Sequence, residues 1–281
     1  MLKKYIKVIC VLVLAGFSFY YTEKVTKLIK YKDPIMIKIN DVKDNSYISV
    51  IDPILNKDEY ILGINGCEVD INKSYDVMKK YGEFNNELLV MKEVRTKENL
   101  KDKYIIGANK YYKNIGLIFI VNDKINDELI QYLSAKKIKG NMFMSREVIE
   151  NNLIEIKFIA ENNNIYYLGD KGVYDGQYML YINNLIKMNT NNESKYCLVE
   201  DKNDDILRLC LDYNMKTIKT KYINNDIINN IKDSISNGSI IAINSDDIEK
   251  IKYSINYILS KGYNIVSLDE LLDDKNTCKK D

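Results

Sequence analysis

The chain of 281 residues contains no histidine and no tryptophan. Without an imidazole it cannot supply Ser-His-Asp or Cys-His catalysis, a His-Glu-x-x-His zinc site or an imidazole proton shuttle. It also has no Cys-x-x-Cys pair and no cysteine spacing that is typical of a metal site. Whole classes of hydrolases and metalloproteins are therefore excluded before any pattern is considered.

Five cysteines are present, an odd number, at widely spaced positions: Cys10, Cys67, Cys197, Cys210 and Cys278. Small buried apolar residues are the favoured interpretation of such cysteines. A Cys197–Cys210 disulfide is compatible with a strand followed by a helix, but the sequence leaves that pairing open.

Charge is nearly balanced, with a formal net charge of +1. This balance gives no bulk electrostatic case for a nucleic-acid partner. With 46% hydrophobic and 29% charged residues, the chain can bury a core and is not expected to be disordered. Its length suits one large domain, or a domain with a smaller companion.

A basic start, with Lys3, Lys4 and Lys7, precedes the apolar stretch Val8–Tyr21. At about 1.5 Å per residue this stretch spans roughly 21 Å, against ~30 Å for a hydrocarbon core, and flanking residues narrow the gap. No small-x-small cleavage site follows it. We therefore predict that residues 1–25 form an uncleaved, single-pass anchor in the cell membrane, with the body extracytoplasmic.

Residues 32–112 have the character of a small α+β module without obvious chemistry. Asp33–Ile39 and Tyr47–Ile51 are predicted as strands, and the glycines of residues 63–66 predict a hairpin turn rather than a phosphate loop. A helix capped by Asn72 or Ser74 is expected to run to Lys80, with Gly82 just past its end.

From Lys113 onward, strand and helix patterns alternate. Ile115–Val121 is a continuous apolar run that is typical of a strand buried on both faces. A helix predicted over Ser145–Asn162 has apolar residues at helical spacing. About seven strand–helix units in ~170 residues predict an α/β fold with parallel pairing, either an irregular (β/α) barrel or a doubly wound open sheet.

Four local patterns follow one another in this part of the chain: Leu117–Asn122, Tyr132–Phe143, Asn237–Ile241 and Lys261–Leu272. In that order they resemble the opening strand, the next helix and strand, the strand before the last histidine, and the terminal signature of the polysaccharide deacetylase family, the NodB homology domain of carbohydrate esterases. The resemblance implies an irregular seven-stranded (β/α) barrel over residues 113–273.

Members of that family remove an N-acetyl group with a divalent metal, such as zinc, that is held by one aspartate and two histidines. A second aspartate acts as base, an arginine steadies it, and a late histidine acts as acid. The resemblance places these roles, in that order, on residues that cannot perform them: metal ligands on Val121, Gly169 and Val173, base on Ile120, arginine on Leu198 and acid on Asn244. We therefore expect no catalytic residue and no bound metal cofactor.

Two interpretations of the remaining polar residues stay open. Asp123, Asp170, Asp175 and Asp246 could rebuild an oxygen-rich site for Mg²⁺ or Ca²⁺, although acids at loop starts more often cap helices. A sugar could instead bind at the former active-site mouth through a set of polar side chains: Asn122, Asp123, Asp170, Tyr174 and Asn244.

The sequence thus supports three hypotheses. The first is a membrane-anchored, deacetylase-like pseudoenzyme that binds a cell-wall glycan or an envelope protein. The second is an active carbohydrate N-deacetylase, a hydrolase of non-peptide C–N bonds, with a carboxylate metal site. The third is a structural or assembly partner that acts through the 32–112 module.

Overall fold

The computed structural model describes residues 2–96, 100, 102–170, 172–190, 192–272 and 278, with side chains from residue 12 onward. The helices are α1 to α11 in chain order: Leu2–Lys32, Pro34–Val42, Ile71–Tyr81, Asp127–Ala135, Arg146–Asn151, Leu153–Ile159, Gly176–Thr190, Asp204–Asp212, Ile227–Ser234, Ile248–Ser260 and Leu268–Leu271. The strands are β1 to β13: Ile54–Asn56, Glu59–Ile61, Gly66–Val69, Met91–Val94, Tyr104–Gly107, Asn114–Val121, Asn141–Met144, Asn164–Tyr167, Tyr196–Val199, Lys216–Lys219, Tyr222–Ile223, Ile240–Ile243 and Asn264–Val266.

The chain divides into two compact units. The first unit comprises Met1–Val50, Asn65–Arg95 and Asn276–Asp281, and the second comprises Ile51–Ile64 and Thr96–Lys275. Two stretches that the sequence analysis placed in the 32–112 module, residues 51–64 and 96–112, therefore fall in the second unit. The physical reason is strand pairing, because β2 pairs with β5 and β5 pairs with β10, both in parallel.

The first unit has a small core of its own, in which α2, α3 and β3 contribute Ile39, Met78 and Val69. The strand predicted over Asp33–Ile39 is wrong, since this segment forms α2. Asp33 is its N-cap and accepts a hydrogen bond from the Ile35 N–H at 2.9 Å, with proline in the first turn. This is the usual start signal of a helix, and it outweighs the β-branched residues that follow.

The other local predictions in the first unit hold only in part. Helix α3 ends at Gly82 in the left-handed conformation, as predicted, but its cap is Asp70, which accepts from the Lys73 N–H. The predicted hairpin across residues 63–66 is wrong, because β3 pairs with β4 and β2 pairs with β1 and β5. A disulfide joins Cys67 of β3 to Cys278, with 5.3 Å between the Cα atoms.

Helix α1 overlaps the predicted anchor, residues 1–25, although the side chains of residues 1–11 lie outside the described part of the chain. Among the described residues, no helix combines the length and the apolar character that a membrane crossing requires. The described part of α1 nevertheless exposes large apolar side chains, including Leu14 at 69% and Phe19 at 79%.

The second unit contains two mostly parallel sheets. One has the order β11-β12-β6-β7-β8, with β13 also paired to β6, and the other has the order β1-β2-β5-β10-β9. An α/β fold is thus confirmed, and β6 is the central strand, as the long apolar run predicted. A single barrel of seven strands is not confirmed, because the hydrogen-bonded ladder is divided between two sheets.

Side chains alternate between two cores along these strands. From β6, β9 and β12, the residues Ile118, Leu198 and Ala242 point into one cluster, which we call the inner cluster. Leu117 and Phe119 of β6 lie on the opposite face, in an outer cluster that packs the helices against the strands. Because strands of both sheets contribute to the inner cluster, the two sheets enclose one apolar interior.

A buried amide ties the last segment to the sheet. Asn141 of β7 is fully buried, and its side chain donates to the carbonyl oxygen of Leu117 at 2.9 Å. Its Oδ1 accepts from the Leu268 N–H at 2.8 Å, at the start of α11. These hydrogen bonds offset the free-energy cost of burying the amide, and they hold the start of α11 against β6 and β7.

Two more predictions are decided in the second unit. The helix predicted over 145–162 is interrupted at Asn152, between α5 and α6, where the side chain bonds back to the Val148 carbonyl at 2.7 Å. Competition of this kind by an asparagine side chain explains the break. The Cys197–Cys210 pairing that the sequence left open is present as a disulfide, with 6.4 Å between the Cα atoms.

Candidate functional site

The loops that follow β6, β7, β8, β9 and β12 lie at the carboxyl ends of parallel strands, and together we call them the mouth. In α/β sheets and barrels, ligands and reacting groups gather at this end. The residues that the sequence analysis singled out lie here, after or near the ends of these strands. The mouth is therefore the place at which function has to be judged.

The two positions at the end of β6 carry no chemistry. Ile120 packs against the inner cluster, and Val121 packs against the outer cluster on the opposite face of the strand. Hydrocarbon side chains offer no lone pair that could bind a metal ion and no group that could accept or donate a proton. The two positions that the resemblance assigns to the base and to a metal ligand are thus occupied by packing residues.

The loop after β8 is closed on itself. Asp170 and Val173 exchange backbone hydrogen bonds of 2.8 and 3.0 Å. Gly169 has a φ of +81°, and a Cβ placed on it would lie 2.6 Å from the carbonyl oxygen of Val173. A histidine at this position would meet both the unfavourable φ and the contact with the backbone. At Gly169 the loop therefore offers no side-chain ligand and has no room for one.

Leu198 of β9, at the position of the family's arginine, is fully buried in the inner cluster. Beside it, the Tyr174 hydroxyl accepts from the Leu198 N–H at 2.9 Å and lies 3.2 Å from the Tyr167 carbonyl oxygen, to which it donates. Since Tyr167 belongs to β8, this hydroxyl bridges the two strands at which the sheets separate. Burial raises the pKa of Tyr174 far above its ordinary value, so the bridging proton is retained.

Three asparagines form a chain of side-chain contacts that we call the amide ladder. Asn122 Nδ2 donates to Asn244 Oδ1 at 3.3 Å, and Asn244 Nδ2 donates to Asn224 Oδ1 at 2.6 Å. The Ser145 hydroxyl holds the Asn122 backbone through its carbonyl oxygen at 2.7 Å. The ladder joins the ends of β6, β11 and β12, and it brings together Asn122 and Asn244.

Arg146, which the sequence analysis missed, is a cation at the mouth with both an aromatic and an acidic neighbour. Its guanidinium lies 4.1 Å from the centre of the Tyr178 ring, and Nη2 lies 3.3 Å from a carboxylate oxygen of Asp170. Burial, reinforced by the charge of Asp170, raises the pKa of the neighbouring Tyr167 to about 12. The position of Arg146 two residues after the end of β7 is the signal that could have revealed it.

The four acids considered for a rebuilt metal site are not gathered. Asp170 pairs with Arg146, and Asp175 accepts the Gln177 N–H at 2.9 Å as a cap of α7. Asp123 and Asp246 are exposed on their loops. Across the described ranges, no three acidic or cysteine side chains are grouped in a way that could hold a metal ion. A divalent metal therefore does not fit the residues present, which counts against the rebuilt site.

Ligand contact by the predicted set of mouth residues stays a prediction. Asn122 and Asn244 are partly buried in the amide ladder, and Asp170 is partly buried beside Arg146. Tyr174 is 7% exposed, and its hydroxyl is already engaged by backbone groups. The exposed Asp123 is the least constrained of the set.

No protein-family profile and no curated protein matches the chain. Among solved structures, BA3943 of Bacillus anthracis, described as a CE4 family pseudoenzyme, is similar with a TM-score of 0.61 at 21% identity, over 88% of this chain and 97% of that chain. The Bc1960 peptidoglycan N-acetylglucosamine deacetylase has a TM-score of 0.52 at 15% identity, over 60% and 92%. PdaA of Bacillus subtilis, a family 4 carbohydrate esterase, has a TM-score of 0.52 at 14% identity, over 63% and 87%.

The chain has the fold of the CE4 proteins. The resemblance to polysaccharide deacetylases that the sequence patterns indicated is thereby confirmed at the level of the fold. Within this CE4 fold, none of the residues at the family's catalytic positions, as the resemblance assigns them, offers a carboxylate or an imidazole.

The strand bridge made by Tyr174 can be tested by removing one oxygen atom. Tyr174→Phe leaves the buried Leu198 N–H without that partner, so we expect the free energy of unfolding to fall by about 1–3 kcal/mol in a urea titration. Tyr181→Phe, on the exposed part of α7, is the matched control and should change stability by less than about 0.5 kcal/mol. Equal effects of the two substitutions would contradict the bridging role.

The closed loop of this CE4 fold predicts a difference between two glycines. Gly169 and Gly172 both have positive φ, but only a Cβ on Gly169 would meet the backbone, because nothing lies within 4 Å of the corresponding position on Gly172. Gly172→Ala should cost about 1 kcal/mol, and Gly169→Ala at least about 1 kcal/mol more. Urea titrations of both variants measure this, and similar losses would show that the loop adapts.

Proposed function

We propose that this chain is a catalytically inactive, deacetylase-like protein that binds glycan at the cell envelope. The observation that carries the inactive part is the replacement of the reactive positions by packed side chains, with Ile120 and Leu198 in or against the inner cluster. Metal-assisted hydrolysis requires anionic or imidazole ligands around an open coordination position. Neither requirement is met at the mouth by these residues.

Glycan binding is supported by the groups that remain. The amide ladder offers Asn122 and Asn244, whose side chains can both donate and accept hydrogen bonds, as sugar hydroxyls and acetamides do. The exposed ring of Tyr178, against which Arg146 packs, adds an amphipathic surface. A few polar groups placed beside apolar surface are typical of small-molecule sites.

The choice of glycan follows from the structures that share the fold. One of them is described as a peptidoglycan N-acetylglucosamine deacetylase, so an N-acetylglucosamine oligomer is the first ligand to test. Sugar binding does not require hydrolysis here, because the amides can hold the sugar while no residue activates water.

We expect the full-length chain to bind chitotetraose in titration calorimetry and to release no acetate from it. Asn122→Ala should weaken binding severalfold, because one hydrogen-bonding amide of the ladder is lost, whereas Asn162→Ala, an exposed position away from the mouth, should not. Metal analysis should find less than one bound divalent ion per chain. An active CE4 deacetylase serves as the positive control for acetate release.

Two results would overturn different parts of this proposal. Acetate release that depends on a stoichiometric divalent ion would show that the protein is an enzyme. Failure of chitotetraose to bind would reject the glycan-binding role and would favour the alternative of an assembly partner.

The envelope location is supported by α1 and by the disulfides. The described part of α1 exposes apolar side chains, and the hydroxyls of Thr22 and Thr26 bond within the helix, to carbonyl oxygens four residues earlier, at 2.8 Å each. Exposed apolar surface of this kind marks contact with a membrane or a partner. Disulfides such as Cys197–Cys210 form and persist in oxidising compartments.

For the anchor, we expect the full-length protein to stay with membranes after alkaline carbonate extraction, and protease added to intact cells to digest the body. Leu14→Lys together with Phe17→Lys should release it, since each lysine at a bilayer centre costs about 3 kcal/mol. Glu23→Lys, outside the apolar stretch, should have no such effect. A body that resists external protease, in cells shown to be intact, would contradict the extracytoplasmic location.

A further inference from the structure

A groove of about 340 Å³ lies beside α9, away from the closed loop after β8. Its walls come from the turn between β10 and β11, from β11 and the start of β12, and from one face of α9. Asn230 and Ser234, one helical turn apart, belong to this face, whereas Ile227 and Ile231 of the same helix are buried in the outer cluster. The groove is therefore bounded by regular structure on both sides.

The chemistry of the groove is that of a site for a neutral, polar ligand. Among the described residues its lining contains asparagines, a serine, a threonine, a tyrosine and isoleucines, with one lysine and no carboxylate. Amides and hydroxyls both donate and accept hydrogen bonds, and the tyrosine and isoleucines offer apolar surface for the less polar face of a sugar ring. A cationic ligand would find no counter-charge among these lining residues.

Several polar groups of the lining have no partner among the residues that the structure describes. The side chains of Asn225 and Ser234 make no internal hydrogen bond there, and Asn230 uses only its Nδ2, which donates to the carbonyl oxygens of Asn225 at 2.9 Å and Asp226 at 3.1 Å. Donors and acceptors thus remain for a ligand. Asp226, between these residues in sequence, holds the loop in a left-handed conformation with a φ of +45°.

The groove is connected to the mouth through the amide ladder. Asn224 lines the groove, and its Oδ1 accepts from Asn244 Nδ2 at 2.6 Å. The Asn244 N–H in turn donates to the Ile223 carbonyl oxygen at 3.0 Å, which holds the ends of β12 and β11 side by side. A glycan that contacts Asn122 at the mouth can therefore continue over Asn244 and Asn224 towards α9.

We infer that this groove is a subsite for an uncharged N-acetylated sugar unit and that it selects acetylated over deacetylated glycan. This inference rests on the proposed glycan binding and assigns a principal contact to the α9 groove, outside the positions that the family resemblance makes catalytic. The lysine and the absence of carboxylates from the lining act against the protonated amines of a deacetylated chain, while the Asn225 amide and the Asn230 Oδ1 serve the acetamide.

The test is calorimetric titration of the full-length chain with chitotetraose and with its fully deacetylated counterpart in mildly acidic buffer, where the amines are charged. We expect binding of the acetylated oligomer only, with an affinity that hardly changes between low and high salt, because the ligand carries no charge. Equal or tighter binding of the deacetylated oligomer would overturn the selectivity.

Variants locate the binding. Ser234→Phe fills the groove from an exposed position, and Asn225→Ala removes an amide that has no internal partner, so both should fold normally while weakening chitotetraose binding at least tenfold in combination. Asp233→Phe, on the exposed side of α9 and outside the lining, is the matched control. Unchanged thermal unfolding temperatures verify that the variants are folded.

The outcomes separate the two proposals. If Asn122→Ala weakens binding and the groove variants do not, the subsite inference is wrong and glycan binding at the mouth stands. If the groove variants weaken binding and Asp233→Phe does not, the inference is supported. If wild-type protein binds no chitotetraose, both are rejected.

Discussion

The apolar interior shared by the two sheets is the constraint on which the second unit depends. Strands of both sheets bury side chains there, and the interior extends to the mouth through Ile120 and Leu198. Burial of this kind is the main favourable term in folding, and it is non-directional. The two positions that the resemblance assigns to the base and to the arginine, Ile120 and Leu198, contribute to this burial.

The closure of the mouth also has a polar component. Tyr174 joins β8 to β9 where no ladder runs between the sheets, and the turn at Gly169 brings the backbone back on itself. At Gly169 the restriction comes from the backbone as well as from the missing side chain, so a ligand residue placed there would require the loop to reopen.

Local signals in the sequence predicted local structure well. The apolar run of β6 and the left-handed Gly82 after α3 both appear as expected, because each depends on residues within a few positions. The pairing of strands that are distant in sequence was harder to predict from local patterns. The strand β5 and its partners are separated by long stretches of sequence, so its membership of the second unit could not be read from periodicity.

The same limit applies to the candidate site. The residue types at the family's ligand positions can be read directly from the sequence, whereas the hydrogen bond between Asn122 and Asn244 depends on how the loops after β6 and β12 meet. The roles of Tyr174 and Arg146 were not visible, since they depend on which groups of other strands surround them. Asp33 before Pro34 was a local signal that the β-branched neighbours concealed.

The bond between Cys67 and Cys278 spans 211 residues, whereas that between Cys197 and Cys210 spans 13. At about 5–20 residues per second, roughly 10–40 s of synthesis separate the two halves of the longer link. The Cys197–Cys210 disulfide can form during synthesis. Cys67 stays a free thiol, or forms a temporary disulfide, until Cys278 has been synthesised. The sequence separations therefore set the order in which the two disulfides can form, with Cys197–Cys210 before Cys67–Cys278.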